Sequence, residues 1–396
     1  MVETSVVRTV NACPVCGSTA TVGFLSRERV PAHQNLVVKD QASAVQLARG
    51  TLNLMVCKEC GFIFNRSFDP RVSMYGADYD NTQACSPSFN EYIDGLVRHM
   101  VLERGVRNCT VVEVGCGKGL FLRKLVGFEG AGITGRGFDP SYTGDEIAYG
   151  GRLKFEKRYY DADCADIPAD FVVCRHVIEH VPKPVALVRD IRRALVNSPR
   201  AKVFLETPCV EWILYNRVIW DFFYEHCSYF SAGSLATAVE MAGFKVGEVE
   251  HIFNGQYLWL EAVVAPATTD VTRHPGDIGH LARQFESAEG EIVARWRTKI
   301  QQLAAKERLA IWGAGAKGVT FANLVDPRRE WVDCLVDVNP QKQGRFVPGT
   351  GHPIRSYEAL PAHGITAAIL MNPNYRDEIS TMLRSSGIRL QLIEGL

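Results

Sequence analysis

The chain has 396 residues, and its 44 basic side chains are balanced by 44 acidic ones. A neutral chain has no overall field to attract nucleic acid or an anionic membrane, so we expect neither as a partner. The first residues lack the basic and apolar segments of a signal peptide, and charged residues or glycine interrupt every apolar run that could span a bilayer. These features predict a cytoplasmic, enzyme-sized protein of two or three domains.

Four of the twelve cysteines form two C-x-x-C motifs near the start of the chain, Cys13 with Cys16 and Cys57 with Cys60. Four thiolates favour a closed tetrahedral Zn²⁺ site, which is normally structural because no position stays open for water. We therefore predict a zinc-binding domain over residues 1–73. Unmetallated thiols and an iron–sulfur cluster are the alternatives, and the remaining cysteines are expected in the core.

Strands and helices alternate in the next part of the chain, residues 74–265, after an amphipathic helix that begins near Phe89. Ser231 is a plausible N-cap of a later helix, and Asn254-Gly255 is a hairpin signal. The predicted strands lie at 110–114, 135–139, 171–175, 202–207, 244–252 and 257–265. This order predicts an α/β fold with a doubly wound, mostly parallel sheet and a late antiparallel pair.

A glycine turn follows the first strand of this region, with Gly115, Gly117 and Gly119 after an acidic Glu113. Glycines let the backbone turn sharply and lie against a ligand, and Asp139 at the end of the next strand could accept hydrogen bonds from ribose hydroxyls. The form E-x-G-x-G-x-G resembles motif I of class I methyltransferases, which implies S-adenosylmethionine as the cofactor. NAD binding and a purely structural turn are the alternatives.

Two later segments carry histidines that suit a substrate site. Residues 170–182 resemble the fourth strand and following loop of the same methyltransferases, and we assign His176 to the cofactor and His180 to the substrate side. A structural histidine is the alternative for His176, and for His180 the alternative is a residue without substrate contact. Glu225 and His226 lie among aromatic residues, where apolar walls and a carboxylate shift an imidazole's pKa in opposite directions. An aromatic-rich core segment is the alternative for this second pair.

A linker and a long amphipathic helix over 266–306 lead into a second α/β domain over 307–396, predicted to be Rossmann-like. Its glycine turn, from Gly313 to Gly318, contains Lys317 and is followed about twenty residues later by Asp337. This spacing meets the dinucleotide fingerprint. NAD, the pyrophosphate of a nucleotide substrate with Lys317 as its cation, and a structural turn are the three candidates. Later strands are predicted at 309–312, 334–337, 367–371 and 390–393.

Taken together, these motifs resemble bacterial sugar C-methyltransferases, which act on nucleotide-linked 4-keto-deoxysugars, and the resemblance covers essentially the whole chain. It implies a small-molecule nucleotide-sugar substrate, S-adenosylmethionine and structural Zn²⁺. It also implies His226 as a general base that forms an enolate, with Glu225, His180 and Tyr79 nearby. The substrate-binding residues that we assign on this basis are Tyr224, Lys317 and Asn372.

The chain departs from the family pattern at two places, which leaves the methylated atom open. Phe223-Tyr224 stands where the family has Tyr-Asp, and Met371-Asn372 stands where a Trp-Asn pair is expected. The alternative within enzymes is an O- or N-methyltransferase that acts on another small metabolite. Two further alternatives are a zinc-ribbon scaffold that no longer turns over and an NAD-linked oxidoreductase built on Gly313. We expect a monomer or a homodimer.

Overall fold

The structure is a computed structural model that describes residues 12–73, 84–265 and 271–395. The strands of these residues form sheets of four, eight and five strands. In chain order the strands are β1 (Thr21–Pro31), β2 (Arg49–Cys57), β3 (Ile63–Asn65), β4 (Thr110–Val114), β5 (Thr134–Phe138), β6 (Ile147–Ala148), β7 (Leu153–Glu156), β8 (Phe171–Arg175), β9 (Lys202–Pro208), β10 (Ser228–Tyr229), β11 (Phe244–Ile252), β12 (Tyr257–Val264), β13 (Leu309–Trp312), β14 (Val332–Val336), β15 (Ile354–Arg355), β16 (Ala367–Leu370) and β17 (Gln391–Ile393). The α-helices are α1 (Gln41–Gln46), α2 (Pro87–Leu102), α3 (Leu120–Val126), α4 (Pro184–Ala194), α5 (Val210–Tyr215), α6 (Ala232–Met241), α7 (Ile278–Ala304), α8 (Ala316–Val325) and α9 (Arg376–Ser385).

The central sheet has the order β11-β12-β9-β8-β4-β5-β7-β6. Strands β9, β8, β4, β5 and β7 are parallel, and β12 and β11 continue the sheet antiparallel at one edge. The three central parallel strands, β4, β8 and β9, are largely buried on both faces, as expected where helices cover both sides of a sheet. The predicted doubly wound sheet with a late antiparallel pair is confirmed, and the predicted strands agree with the observed ones to within two residues.

Two local signals in the central region act as expected. The Ser231 side chain accepts a hydrogen bond from the Ser234 amide, and the Ser234 hydroxyl accepts one from the Ser231 amide, which forms a capping box at the start of α6. Asn254 and Gly255 both adopt positive φ in the connection between β11 and β12. The predicted N-cap and the predicted hairpin are therefore confirmed.

The amino-terminal sheet has the order β1-β2-β3-β10, so its last strand comes from the central region of the chain. Ser228 and Tyr229 of β10 pair with β3, immediately after the Glu225-His226 segment. A strand of two residues is too short to show the alternation of apolar and polar residues that marks a strand, so β10 was not predicted. The pairing fixes the cysteine-containing domain against the part of the central domain that carries the candidate base.

The carboxyl-terminal sheet is entirely parallel, with the order β15-β14-β13-β16-β17. The order reverses direction beside β13, which is where open α/β sheets bind ligands. The predicted Rossmann-like arrangement is confirmed.

The 27-residue helix α7 joins the domains and buries Phe285 and Trp296 among its apolar residues. Burial of each of these side chains contributes about 2–3 kcal/mol of hydrophobic free energy. Its Glu289 also accepts a hydrogen bond from Arg27 of β1 at 2.7 Å. Within the part of the chain that the structure describes, no helix is both long and apolar enough to cross a membrane.

Candidate active site

A cavity of about 310 Å³ lies between the carboxyl ends of the parallel strands of the central and carboxyl-terminal sheets. The central sheet contributes residues that follow β8 and β9, and the carboxyl-terminal sheet contributes residues that follow β13, β14 and β16. Asn35 of the amino-terminal domain completes part of the wall. Since ligands of open parallel sheets bind beyond the carboxyl ends of the strands, this cavity is the candidate substrate site.

The glycine turn after β4 lies beside this cavity and needs its glycines. Gly115, Gly117 and Gly119 all have positive φ, which L-residues with side chains rarely adopt. A Cβ on Gly115 would collide with the side chain of Val177, next to His176 of the cavity wall. The Gly117 amide donates to Asp139 at 2.9 Å, so the predicted cofactor carboxylate also holds the turn in place.

Glu113 lies inside the sheet, only 4% exposed. Burial raises its pKa to about 8, and the charge of Arg175 and a backbone hydrogen bond from Leu122 oppose the rise only in part. Its Oε2 atom has no hydrogen-bond partner among the described residues. A buried carboxyl oxygen without a hydrogen-bond partner is open to a ligand. Its place beside the turn fits the positively charged ligand that the sequence predicts.

The fully buried Glu206, at the end of β9, accepts hydrogen bonds from three side chains. They come from Arg175 at 2.6 Å, His176 at 2.8 Å and Tyr92 at 2.8 Å. Burial alone would lower the pKa of His176, but the charges of Glu206 and of Glu179, 3.3 Å from its Nδ1, raise it to about 9. His176 is therefore an imidazolium with both ring nitrogens beside carboxylates, which leaves its predicted contact with the cofactor a prediction.

His226 lines the cavity in the opposite electrostatic condition. Burial, followed by the charges of His180, His176 and Lys317, lowers the pKa of His226 well below its ordinary value. Its ring stands edge-on to that of His180, with 4.7 Å between centroids, and packs against Phe223 at 4.2 Å. The imidazole of His226 is therefore unprotonated at neutral pH, which is the form that a general base needs.

Glu225 connects His226 to two other histidines. Its main-chain carbonyl lies 3.0 Å from Nδ1 of His180, and because a carbonyl can only accept, that nitrogen must donate. Its carboxylate lines the cavity and lies 3.5 Å from Nδ1 of His33, a buried residue of the amino-terminal domain. The structure thus brings His226, Glu225 and His180 together in one cavity.

Tyr224 is not among the residues that line the cavity, in contrast to its predicted contact with substrate. Its side chain is 1% exposed and packs over Gly50, where a Cβ would collide with the ring. Its hydroxyl accepts a hydrogen bond from the Asp69 amide at 2.8 Å. The Tyr224 side chain therefore packs against the amino-terminal domain and ties it to the central domain. Tyr79 lies outside the described residues.

Lys317 and Asn372 line the cavity as the sequence predicted for substrate contacts. The Lys317 ammonium donates to Asp221 at 2.8 Å and to Gln256 at 3.2 Å, and it lies 5.3 Å from the ring centre of Trp212. Asn372 exchanges hydrogen bonds with the same Gln256 at 3.0 and 3.2 Å. Both residues are therefore held in place by the central domain before any ligand enters.

The second glycine turn places the amino end of α8 at the cavity. Gly318 must be glycine because a Cβ there would collide with the carbonyl oxygen of Gly313. Asp337 accepts a hydrogen bond from the Ala314 amide at 3.1 Å. Among the described residues no side chain caps α8, so amides of its first turn can face an anion.

The four cysteines of the C-x-x-C motifs converge in the amino-terminal domain, and all four are buried. The sulfurs of Cys13 and Cys60 lie 3.6 Å apart, those of Cys16 and Cys57 lie 3.5 Å apart, and all four fall within 4.8 Å of one another. Tetrahedral ligands at the usual Zn–S distance of about 2.3 Å stand roughly 3.8 Å apart. The donor set and its spacing therefore fit Zn²⁺.

Several site residues were missed in the sequence. Glu206 and Arg175 are direct partners across β8 and β9, and their position at the ends of two adjacent predicted strands was a usable signal. Asp221 and Gln256 are brought together by Lys317, which comes from another domain and donates hydrogen bonds to both. His33 carries no motif, and nothing in the sequence indicated its contact with the site.

Two family models match the chain in separate regions. One is described as a methyltransferase domain and matches residues 87–249. The other is described as a C-methyltransferase C-terminal domain and matches residues 281–389. The first region contains the Gly115 turn and the histidines of the cavity, and the second contains the Gly313 turn.

The curated relatives include the C-methyltransferase NovU of Streptomyces niveus, which is 25% identical over 395 residues, 94% of this chain and 92% of the relative. A ubiquinone biosynthesis O-methyltransferase of Yersinia pestis is 30% identical over 123 residues, 29% of this chain and 50% of that protein. Solved structures that match include an S-adenosylmethionine-dependent methyltransferase from Aquifex aeolicus, 16% identical, with a TM-score of 0.34 over 46% of this chain and 96% of that one. The magnesium protoporphyrin IX methyltransferase of Synechocystis is 17% identical, with a TM-score of 0.34 over 50% of this chain and 92% of that one.

Proposed function

We propose that the chain is an S-adenosylmethionine-dependent C-methyltransferase that methylates a carbon atom of a nucleotide-linked keto-deoxysugar through an enolate, as the two matching family models and the full-length relative support. The observation that carries this proposal is the neutral, half-buried His226, which lines the same cavity as the glycine turn of the carboxyl-terminal sheet and stands beside His180. One wall can remove a proton, and the other can hold a nucleotide.

The proton to be removed lies on the carbon next to the sugar ketone, which acidifies it. His226 takes this proton, the carbon–hydrogen bond breaks, and its electron pair moves toward the ketone oxygen to give the enolate. The positive charges of His176 and Lys317, which lower the pKa of His226, also stabilise negative charge on that oxygen. The same charges thus keep the base neutral and favour the enolate.

We assign the methyl donor to the turn after β4, with Gly115, Gly117 and Gly119 against its backbone, Asp139 near its ribose and Glu113 near its positive charge. S-adenosylmethionine supplies an activated methyl group when it is bound. What remains for the protein is to position the acceptor carbon and to remove its proton. His176, beside this turn, connects the donor region to the cavity.

The uncapped amino end of α8 supports a diphosphate in the acceptor. Backbone amides at a helix amino end and a cation in the first turn together favour phosphate oxygens, and Lys317 is such a cation. The turn also lies at the point where the carboxyl-terminal sheet reverses its strand order. We therefore assign the nucleotide to this domain and the sugar to the region of His226 and Asn372.

A second candidate is an O- or N-methyltransferase that acts on a small metabolite without a diphosphate. It is favoured by the charge of the cavity, because Lys317 already pairs with Asp221, and Lys342 lies 3.8 Å from Asp337. Replacement of Lys317 by Met in an Asp221→Asn background separates the two candidates. The KM of a nucleotide-linked acceptor should rise at least about tenfold, the effect of a charge-assisted hydrogen bond, whereas the KM of an acceptor without phosphate should not change.

The test of the main proposal uses labelled donor, a panel of nucleotide-linked 4-keto sugars, and acceptors carrying deuterium next to the ketone. We expect methyl on carbon by NMR, and loss of deuterium to water when S-adenosylhomocysteine replaces the donor. His226→Asn should lower both rates by about two to four orders of magnitude while the donor still binds. Methyl on oxygen or nitrogen, or no keto sugar accepted, would overturn the proposal.

We further assign structural Zn²⁺ to the four cysteines of the amino-terminal domain. Four thiolates leave no open position, so the ion stabilises this domain and takes no part in proton transfer. Metal analysis should find one Zn²⁺ per chain, and Cys57→Ser should lower both metal content and thermal stability. Cys109→Ser, at a half-buried cysteine outside the cluster, is the matched control. Metal-free protein of unchanged stability would refute this assignment.

A further inference from the structure

The segment after β1 carries the amino-terminal domain to the wall of the cavity. Asn35 lines the cavity and accepts a hydrogen bond from Lys342 of the carboxyl-terminal domain at 3.3 Å. Two residues earlier, Nδ1 of His33 lies 3.5 Å from the carboxylate of Glu225 in the central domain. Residues from all three sheets therefore meet at this point.

The contact between His33 and Glu225 is shielded from water. The side chain of His33 is 8% exposed and that of Glu225 is 1% exposed. A carboxylate at this depth is costly unless polar groups hold it, and the imidazole of His33 is such a group. The contact is therefore part of the buried wall of the cavity and not a contact at the protein surface.

Glu225 is also the residue through which an effect at His33 would reach the base. Its carbonyl accepts the hydrogen bond from His180, and His226 is its neighbour in the chain and packs edge-on to His180. A shift of the Glu225 side chain and backbone would move both rings. Rates of proton transfer fall steeply when the reacting groups are misplaced by about 1 Å.

We propose that His33 is a positioning residue, whose imidazole holds the Glu225 carboxylate and thereby orients His180 and His226 for proton removal. The amino-terminal cysteine domain then contributes to turnover as well as to stability. This inference rests on the proposed function, in which the Glu225-His226 segment removes the acceptor proton.

The test compares three substitutions of one residue. His33→Leu should lower kcat roughly 10- to 100-fold, because the buried carboxylate of Glu225 loses the polar group beside it, with donor affinity unchanged. In His33→Asn the amide nitrogen occupies the place of Nδ1, so kcat should return to within about threefold of wild type. His33→Gln places its amide further out, at the position of Nε2, and should remain slow. The matched control is His99→Leu, at a histidine that pairs with Glu103 outside the cavity.

A double-mutant cycle with Glu225→Gln adds a readout that a merely structural role would not give. In that background His33→Leu should cost less than about twofold in kcat, because the partner carboxylate is already absent. Independent, additive losses would overturn the proposal, as would a His33→Asn variant no faster than His33→Gln. The two polar variants are similar in size, so they also provide the comparison if His33→Leu does not fold.

A spectroscopic measurement separates failure of this inference from failure of the proposed function. If the wild-type enzyme methylates no keto sugar, the proposed function fails, and the ring ¹⁵N signals of His33 decide the inference instead. Glu225→Gln should shift those signals, whereas Glu103→Gln should leave them in place. Unchanged His33 signals in Glu225→Gln would overturn the contact on which the inference depends.

Discussion

The two parallel sheets end in similar glycine turns but surround them with charges that are arranged differently. At the donor edge, the carboxyl end of the central sheet around Gly115, the charged groups converge on Glu206 and are buried against one another. At the acceptor edge, the carboxyl end of the carboxyl-terminal sheet around Gly318, Lys317 and Lys342 line the cavity. The two glycine turns are alike, and we propose that the different side chains around them select the donor at one edge and the acceptor at the other.

The same comparison explains two histidines that lie near each other with opposite pKa shifts. Burial lowers the pKa of both, but only His176 has carboxylates at both ring nitrogens, from Glu206 and Glu179. His226 has cationic or potentially cationic neighbours instead, and its pKa falls. Carboxylate partners, and not burial, therefore account for the opposite pKa shifts of His176 and His226.

The largest effect is expected from Glu206→Gln, which removes the buried charge at the centre of the donor edge. Arg175 and His176 would then lose their counter-charge, and breaking a buried pair typically costs about 3–5 kcal/mol. The free energy of unfolding, measured with urea at pH 7, should fall by this amount. Glu248→Gln is the control, because its pair with Arg104 is exposed and worth less than about 1 kcal/mol.

The same variant should change how stability depends on pH. The folded-state pKa of His176 is about 9, above the unfolded value of about 6.5, so its stabilisation is complete below pH 6.5 and is lost as pH rises through 9. Wild-type protein should lose stability over this window, and Glu206→Gln should lose less. A parallel decline in both proteins would show that Glu206 does not hold the proton on His176.

Substitution of one glycine at each edge should weaken the binding of a different ligand. Gly115→Ala should weaken binding of S-adenosylhomocysteine by roughly a hundredfold, since about 1–2 kcal/mol of positive-φ strain adds to a collision with Val177. Gly318→Ala should raise the acceptor KM and leave that binding intact, because its Cβ would collide with the Gly313 carbonyl of the second turn. Calorimetry and steady-state kinetics measure the two effects.

The control for this pair is Gly290→Ala in the middle of α7, where a Cβ would meet nothing within 4 Å. This variant should bind both ligands normally. If Gly115→Ala and Gly318→Ala lose the same ligand, the division of the site into a donor edge and an acceptor edge is wrong.

Both turns were predictable from sequence because each depends on local chemistry. Glycines between a buried strand and an apolar helix start specify the turn, and the carboxyl ends of parallel strands meet at one edge. The convergence of His180, His226 and Lys317 on one cavity followed from the same logic combined with a family resemblance. The sequence therefore predicts those site residues that directly follow a strand, because the strands themselves can be located.

Contacts that depend on register or on a second domain were not accessible in this way. Arg175 faces Glu206 only because β8 and β9 pair without a shift. Tyr224 was assigned to substrate, yet its ring turns toward Gly50, since a short irregular segment has no period that fixes which side each residue faces. His33 reaches Glu225 across 192 positions of the sequence, and only the assembled fold brings the two together.

The smallest effect concerns the pH dependence of turnover, and it tests the neutral state of His226 directly. A histidine with the ordinary pKa of about 6.5 would keep only about a quarter of its basic form at pH 6. Burial and the charges of His180, His176 and Lys317 lower the pKa of His226 well below that value, so kcat should remain near its plateau at pH 6. A rate that falls by half near pH 6.5 would contradict the neutral base. Lys317→Met should move the acid limb of the profile to higher pH, because it removes one of the charges that keep His226 unprotonated.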